Sequence, residues 1–212
     1  MTDVWSRRAE AFRESATHRE GPDLDRLVEW AEGETALDVG TGGGHVARRL
    51  REAGVSVVSC DPAPGMQPDV ICRAEELPFA DASFDTVVCR IAAHHFEDVS
   101  ASVPEMARVA RRVVLVEDNL FIDEKSEEAD RVRDPSHVRN YSEEEWKRLF
   151  ADAGLEIEQA WIYVKHAPVH PWLDRVECRG APAQRVRLLL AHRIDAEDRL
   201  EIPSLLLKGR KR

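Results

Sequence analysis

Residues 37–44 read Leu37-Asp38-Val39-Gly40-Thr41-Gly42-Gly43-Gly44, with four glycines in five positions directly after a short apolar run. A backbone that turns sharply from strand to helix, and lets a ligand approach its amides closely, needs residues without a Cβ. Upstream, residues 35–40 (TALDVG) have the length and apolar content of a buried strand. Downstream, Val46, Ala47, Leu50 and Ala53 recur at helical spacing until Gly54 stops the pattern. The unit is therefore strand, glycine turn, helix. Asp61 stands where a second apolar run (residues 55–60) ends, 61 − 40 = 21 positions after the first glycine, and a carboxylate there can accept both hydroxyls of a ribose. Taken without this context, the glycines are weak evidence, and a purely structural turn is the competing, less favoured reading.

Working outward, residues 69–74, 84–90 (FDTVVCR) and 112–117 (RVVLVE) predict three further strands, with Val99, Val103, Met106 and Ala110 tracing a helix between the last two. Strands that are apolar on both faces and alternate with helices predict a parallel sheet covered on both sides. The first thirty residues read as two helices broken at Gly21-Pro22, a helical cap over residues 1–33. Residues 121–141 are charged, contain Asp134-Pro135 and predict a lid segment. Ser142 with Glu145 forms a capping box for a helix striped by Trp146, Leu149 and Phe150 and ended by Gly154. Residues 157–164 and 202–207 predict a late antiparallel pair, with a charged helix near 182–194 between them. The expected architecture is one α/β domain over residues 1–212, Rossmann-like and doubly wound around a mixed sheet.

Thirty Lys and Arg against forty Asp and Glu give a net charge of −10, which disfavours general attraction to nucleic acid or to an anionic membrane. Apolar runs such as 113–116 fall far short of the roughly 20 residues a membrane span needs. The charged N-terminus lacks the apolar core of a secretory signal, so a cytoplasmic protein is expected. Cys60, Cys72, Cys89 and Cys178 show no paired spacing and read as small buried hydrophobes in a reducing compartment.

A dinucleotide fingerprint would place its third glycine at position 45, where this chain has His45. The actual spacing, with Asp38 two residues before Gly40 and glycines at 40, 42 and 44, resembles the acidic-x-G-x-G-x-G signature of class I S-adenosylmethionine-dependent methyltransferases. Asp61 with Met66 is similar to that family's segment after the second strand. Ala74-Glu75-Glu76-Leu77-Pro78-Phe79, then Ser83-Phe84-Asp85 and Arg90-Ile91-Ala92-Ala93-His94-His95-Phe96, resemble the type 11 subgroup typified by ubiquinone and menaquinone biosynthesis methyltransferases. Residues 133–139 and Ser142 to Trp146 resemble an uncharacterised bacterial branch of it.

The resemblance implies the seven-stranded class I fold, S-adenosylmethionine as cofactor and a small-molecule methyl acceptor. It implies a cofactor site built from Asp38, Gly40, Gly42, Gly44, Asp61, Met66, Ala74, Glu75 and Arg90, with Asp38 orienting the methionine amino group through water. A protein that binds S-adenosylmethionine or its product without catalysis is the alternative. The chain departs from the pattern between strands two and three. Only residues 62–68 are available there, with prolines at 62, 64 and 68, so the usual helix does not fit. Arg73 replaces an Asp often found before the Ala-Glu pair, which leaves adenine to the backbone of Ala74 and Glu75, with Met66 as an apolar wall. The expected result is a more open adenine side and apolar surface masked by the N-terminal helix or by a second copy, a homodimer.

Methyl transfer from a sulfonium needs alignment, exclusion of water and at most a base, for which histidine is suited near neutral pH. His95 and His137 are the candidates; His94-His95 could equally begin the following helix, and His137 in Asp-Pro-Ser-His could simply hold a loop. His18 could close the methionine end of the pocket or end a surface helix. A metal is not expected, because adjacent histidines rarely face one ion and no third ligand has useful spacing. Glu127-Glu128 and residues 143–145 read as solvated helix faces, and residues 208–212 (KGRKR) as a solubilising end.

Overall fold

The structure, a computed structural model, describes residues 2–212. The chain runs α1 (Thr2–Arg13), α2 (Ala16–Arg19), α3 (Pro22–Trp30), β1 (Thr35–Val39), α4 (His45–Glu52), β2 (Ser56–Asp61), β3 (Val70–Ile71), β4 (Phe84–Arg90), α5 (Val99–Val109) and β5 (Ala110–Asn119). It continues through α6 (Glu124–Arg133), α7 (Glu143–Asp152), β6 (Leu155–Pro168), α8 (Val169–Asp174), α9 (Gly180–Leu189) and β7 (Arg199–Lys211). One seven-stranded sheet results, in the order β3-β2-β1-β4-β5-β7-β6, with β7 antiparallel to both neighbours.

The apolar stripes predicted from periodicity cover the two faces of this sheet. Leu24 and Leu27 of α3 and Val46, Ala47 and Leu50 of α4 pack on Ala36, Val88 and Leu206. Val103 and Met106 of α5 and Trp146 and Phe150 of α7 pack on Val87, Val114 and Leu205 from the other side. Asp98 caps α5 by accepting the amides of Ser100 and Ala101, and the Ser142–Glu145 capping box starts α7. Because the order reverses at β1 and β4, the carboxyl ends of these strands leave a crevice between them, the place where open α/β sheets bind ligands.

No α-helix joins β2 to β3; a single 3-10 turn, Pro64–Met66, takes its place. The cover comes instead from α1. Ser6 Oγ accepts the Gly65 amide at 3.0 Å, and a Cβ on Gly65 would come within 2.5 Å of Ser6 Cα. Ala9, Ala63 and Met66 form a small core between them, with Trp5 and Phe12 against it. Of the two covers expected at this edge, the N-terminal helix is the one observed: it lies across the short connection.

Four expectations change. The N-terminal segment has three helices, not two, with a break at residues 14–15. Half of the charged 121–141 segment is helix α6, which packs with α8 and α9 around Ala129, Trp172, Leu173, Val186 and Leu190 as a second core over the carboxyl edge of the sheet. Glu127 does not sit on a solvated face; it is buried, with Oε1 accepting the Asn140 amide at 2.9 Å. Most of the basic C-terminal run lies inside β7, where Lys208 Nζ reaches Glu32 Oε1 at 2.6 Å and the Arg210 guanidinium pairs with Glu32 and Glu158. These cations match acids brought from other elements, so strand pairing prevails over local charge. Among the described residues, no helix is long and apolar enough to cross a membrane.

Candidate functional site

The glycine turn is shaped by contacts on three sides. Gly40, at φ +67°, lies so close to Ala92 that a Cβ would approach its Cβ to 2.8 Å. Gly43 would place a Cβ 2.8 Å from the Phe12 carbonyl oxygen, so α1 can end against the turn only because that position is bare. Gly42, at φ +50°, has nothing nearer than the Gly40 oxygen at 4.0 Å, and its missing side chain leaves open space on the cleft side. Gly44 stands outside the cleft lining, as the left-handed residue that starts α4. His45, which occupies the third-glycine position of a dinucleotide fingerprint, points its Nε2 at the Phe12 carbonyl at 2.9 Å and so helps to seat α1.

Two carboxylates hold this turn. Asp38 Oδ2 accepts the Thr41 hydroxyl at 2.6 Å and the Ala47 amide at 3.1 Å, so it caps the first turn of α4 from the strand. Burial raises its pKa to about 6, against the lowering effect of those two bonds. Asp61 Oδ2 accepts the Gly42 amide at 3.0 Å and Oδ1 the Ala63 amide at 2.9 Å. Burial raises the Asp61 pKa as well, with the two amides opposing. Each carboxylate oxygen has a second lone-pair direction, so Asp61 retains acceptor capacity for a ligand.

The turn floors a cleft whose free space, its open mouth included, is about 850 Å³. Asp38, Gly40, Gly42, Asp61, Met66, Arg90 and His95 line it, roofed by Trp5 and Phe12 of α1. Ala74 and Glu75 line an adjoining pocket that shares Gly40, Pro62, Trp5 and His95 with the cleft. The Arg90 guanidinium is already engaged, with Nε on Asp23 Oδ2 at 2.8 Å and Nη1 on the His18 carbonyl at 3.0 Å.

Past β4 the chain passes through Ile91 at φ +51°, a conformation that a β-branched residue seldom adopts. His94 and His95 follow in a separate 3-10 turn and do not begin the following helix, which starts at Val99. His94 Nδ1 lies 2.5 Å from Asp118 Oδ1, and the His94 amide donates to Asp118 Oδ2 at 3.0 Å. Burial works against the His94 charge, but Asp118 more than offsets it and the pKa is raised. Burial and the neighbouring His94 hold His95 down to about 3. His95 Nδ1 faces the Ser136 carbonyl at 3.1 Å. A carbonyl can only accept, so Nδ1 carries the proton and Nε2 the lone pair.

His137 is brought near both, at 5.6 Å from His94 and 6.3 Å from His95 between ring centres, yet its Nε2 faces Glu127 Oε2 at 3.3 Å and it lies outside the cleft lining. Glu127, Asp130 and His137 have ligand atoms within 4.8 Å of one another, a grouping that spacing did not disclose. Glu127 Oε2 there also faces Arg131 Nη1 at 3.4 Å.

A second cavity shares Phe12, His18, Ile91 and His95 with the cleft and extends it beneath α8. Arg133, Lys165, Trp172 and Arg175 also line it; Arg133 belongs to the charged segment marked in the sequence, whereas the other three were not singled out there. The one available signal was the spacing of Val169, Trp172, Leu173 and Val176, an apolar helical stripe. His18 stands between the two spaces with Nδ1 2.8 Å from Ser15 Oγ. Burial, then Arg175 and Arg90, hold it well below the usual imidazole range.

A family model described as a methyltransferase domain matches residues 37–114. The uncharacterized methyltransferase YcgJ of Bacillus subtilis is 32% identical over 219 residues, covering 92% of this chain and 85% of that protein. The crystal structure of YcgJ superimposes with a TM-score of 0.77 at 27% identity, covering 90% of this chain and 98% of the other. The BH2331 protein of Bacillus halodurans gives 0.77 at 28% identity, with 90% and 99% covered.

Proposed function

The chain belongs to the class I S-adenosylmethionine-dependent methyltransferases, and from that premise we propose that the cofactor lies in the cleft over the glycine turn and a small-molecule acceptor in the cavity that continues it. The observation that carries this reading is the bare Gly42 beside two buried carboxylates, Asp38 and Asp61, at the carboxyl edge of β1 and β2. A side chain at Gly42 would fill the space the ligand needs.

Asp61 would receive the ribose hydroxyls on its remaining lone pairs, and Asp38 would attract the methionine ammonium. Met66 and the pocket of Ala74 and Glu75 would receive the adenine, with Trp5 over it. Arg90 would act by fixing α3 and the end of β4 through Asp23. When bound, S-adenosylmethionine supplies a methyl group on a positive sulfur that departs as a neutral thioether. The protein must therefore align the acceptor and exclude water, a role for which Trp5 and Phe12 are placed over the cleft. Of the two histidines proposed as bases, His95 borders both spaces, whereas His137 is committed to Glu127. His95 is a neutral hydrogen-bond acceptor at its Nε2, suited to orienting an acceptor's hydroxyl or amine.

Incubation with labelled S-adenosylmethionine and panels of phenols, quinols, amines, thiols and carboxylic acids tests the assignment. Acceptor-dependent formation of S-adenosylhomocysteine is the expected result. Failure of either cofactor form to bind in calorimetry would sink the placement.

A further inference from the structure

The cavity beneath α8 carries more positive charge than the protein around it can match. Its ionisable walls are Arg133, Lys165, Arg175 and Asp134, with His18, His94 and His95. Most of these are accounted for. Lys165 Nζ lies 2.8 Å from Glu117 Oε1, His94 is matched by Asp118, and Asp134 faces Arg8 Nη1 at 3.2 Å while accepting the amide and hydroxyl of Ser136. Arg133 and Arg175 differ. Neither forms an ion pair with a carboxylate among the described residues; Arg133 gives Nε and Nη2 to the Trp172 carbonyl, at 3.2 and 3.0 Å, and lies 4.0 Å over the Trp172 ring. Among the described residues the Arg175 guanidinium has one hydrogen-bond partner, the Thr17 hydroxyl, at 3.3 Å.

A guanidinium carries five N–H donors in a planar fork matched to a carboxylate or a phosphate. Two of them sharing one partly buried space repel each other and lose hydration, a cost that an oxyanion between them would offset. Burial, then the charge of Arg133, lowers Arg175 to about 10, as expected for a cation lacking its counter-ion. Asp130 and Asp134 act on Arg133 only at longer range. In a chain of net charge −10 this excess is local.

We propose that this cavity holds the acidic group of the methyl acceptor, an organic acid whose oxyanion is received by Arg175 and Arg133 while Phe12, Ile91, Trp172 and Ile202 enclose its apolar body. The identification of the cavity as the acceptor side rests on the cofactor placement proposed above; the cation pair stands independently of it. An acid anchored by Arg175 would also lift the depression that this charge imposes on His18, which borders the cofactor cleft.

The test is calorimetry of the full chain saturated with S-adenosylhomocysteine, titrated with benzoate, phenyl phosphate and neutral benzamide. At least one acid should bind, with benzamide about tenfold weaker or more. Arg175→Gln should weaken the acid about tenfold or more, Arg175→Lys should recover part of the loss, and S-adenosylhomocysteine affinity should stay within about twofold in both, which also certifies the fold. Preference for benzoate or for phenyl phosphate tells a carboxylic from a phosphoric acceptor. Absence of acid binding at millimolar concentration, equal binding of benzamide, or acid affinity unchanged in Arg175→Gln would overturn the proposal. If S-adenosylhomocysteine itself does not bind, the cofactor placement falls, and the same titration of the protein alone still decides the oxyanion site.

Discussion

Arg90, the last residue of β4, and Asp23, in the first turn of α3, form an ion pair inside the protein, with Asp23 Oδ2 accepting from Nε at 2.8 Å and from Nη2 at 2.5 Å and both side chains 3% exposed. The pair ties the N-terminal cap to the strand that carries the site. Glu117 Oε2 lies 3.8 Å from Arg90 Nε and has no hydrogen-bond partner among the described residues, so Asp23 supplies the close contact.

Asp23→Ala should therefore leave a buried guanidinium without its close partner and destabilise the fold by about 3–5 kcal/mol. Asp23→Leu combined with Arg90→Met should cost clearly less than Asp23→Ala alone, because the guanidinium leaves with its partner and Glu117 keeps Lys165 at 2.8 Å. Chemical denaturation of the three variants reads this out; equal losses would show that the pair's charge is not what matters.

Asp38 links affinity to pH. Its carboxyl titrates at about 6 in the folded protein because of burial, and the ligand's ammonium favours the ionised form. Affinity for S-adenosylmethionine should be flat above pH 6 and fall by up to about tenfold per unit below it. Asp38→Asn should reduce that slope to what Asp61, also raised, contributes. For stability the sign is the reverse of a salt-bridged acid. The raised pKa makes a contribution that is complete below the unfolded carboxyl value of 3.8 and is lost as pH rises through about 6. Calorimetry between pH 5 and 8 and denaturation over the same range separate the two effects.

Gly42→Val should abolish cofactor binding, since the residue sits at φ +50° on the open side of the turn. Asp61→Ala should weaken it by about 1.5–3 kcal/mol, the scale of a hydrogen bond to a charged group. Unchanged affinity in both variants would place the cofactor elsewhere.

The histidines should separate kinetically. His95→Ala should lower turnover by about tenfold or more and weaken the cofactor, because its ring borders both spaces and meets Trp5 edge-on at 4.5 Å. His137→Ala should act chiefly on stability, by about 1–3 kcal/mol, through loss of its contact with buried Glu127. A hundredfold loss of turnover in His137→Ala with the fold intact would instead make His137 the base.

What the sequence determined by itself is local. Strand, turn and helix follow from the period of apolar residues and from glycines whose backbone angles other residues resist; hence the run from β1 to β5, the capping box of α7 and the grouping of Asp38, Gly40, Gly42 and Asp61 at one edge were legible. The missing helix between β2 and β3 was legible too, from seven residues and three prolines. Tertiary structure alone decided what meets across long separations. Ser6 against Gly65, Lys208 against Glu32, Glu127 beneath Asn140, and Arg175 in one cavity with Arg133 leave no periodic or compositional trace. A charged side chain reads as solvated until the fold supplies a partner and removes the water around it. That is why the basic end became a strand within the sheet and Glu127 of α6 a buried anchor.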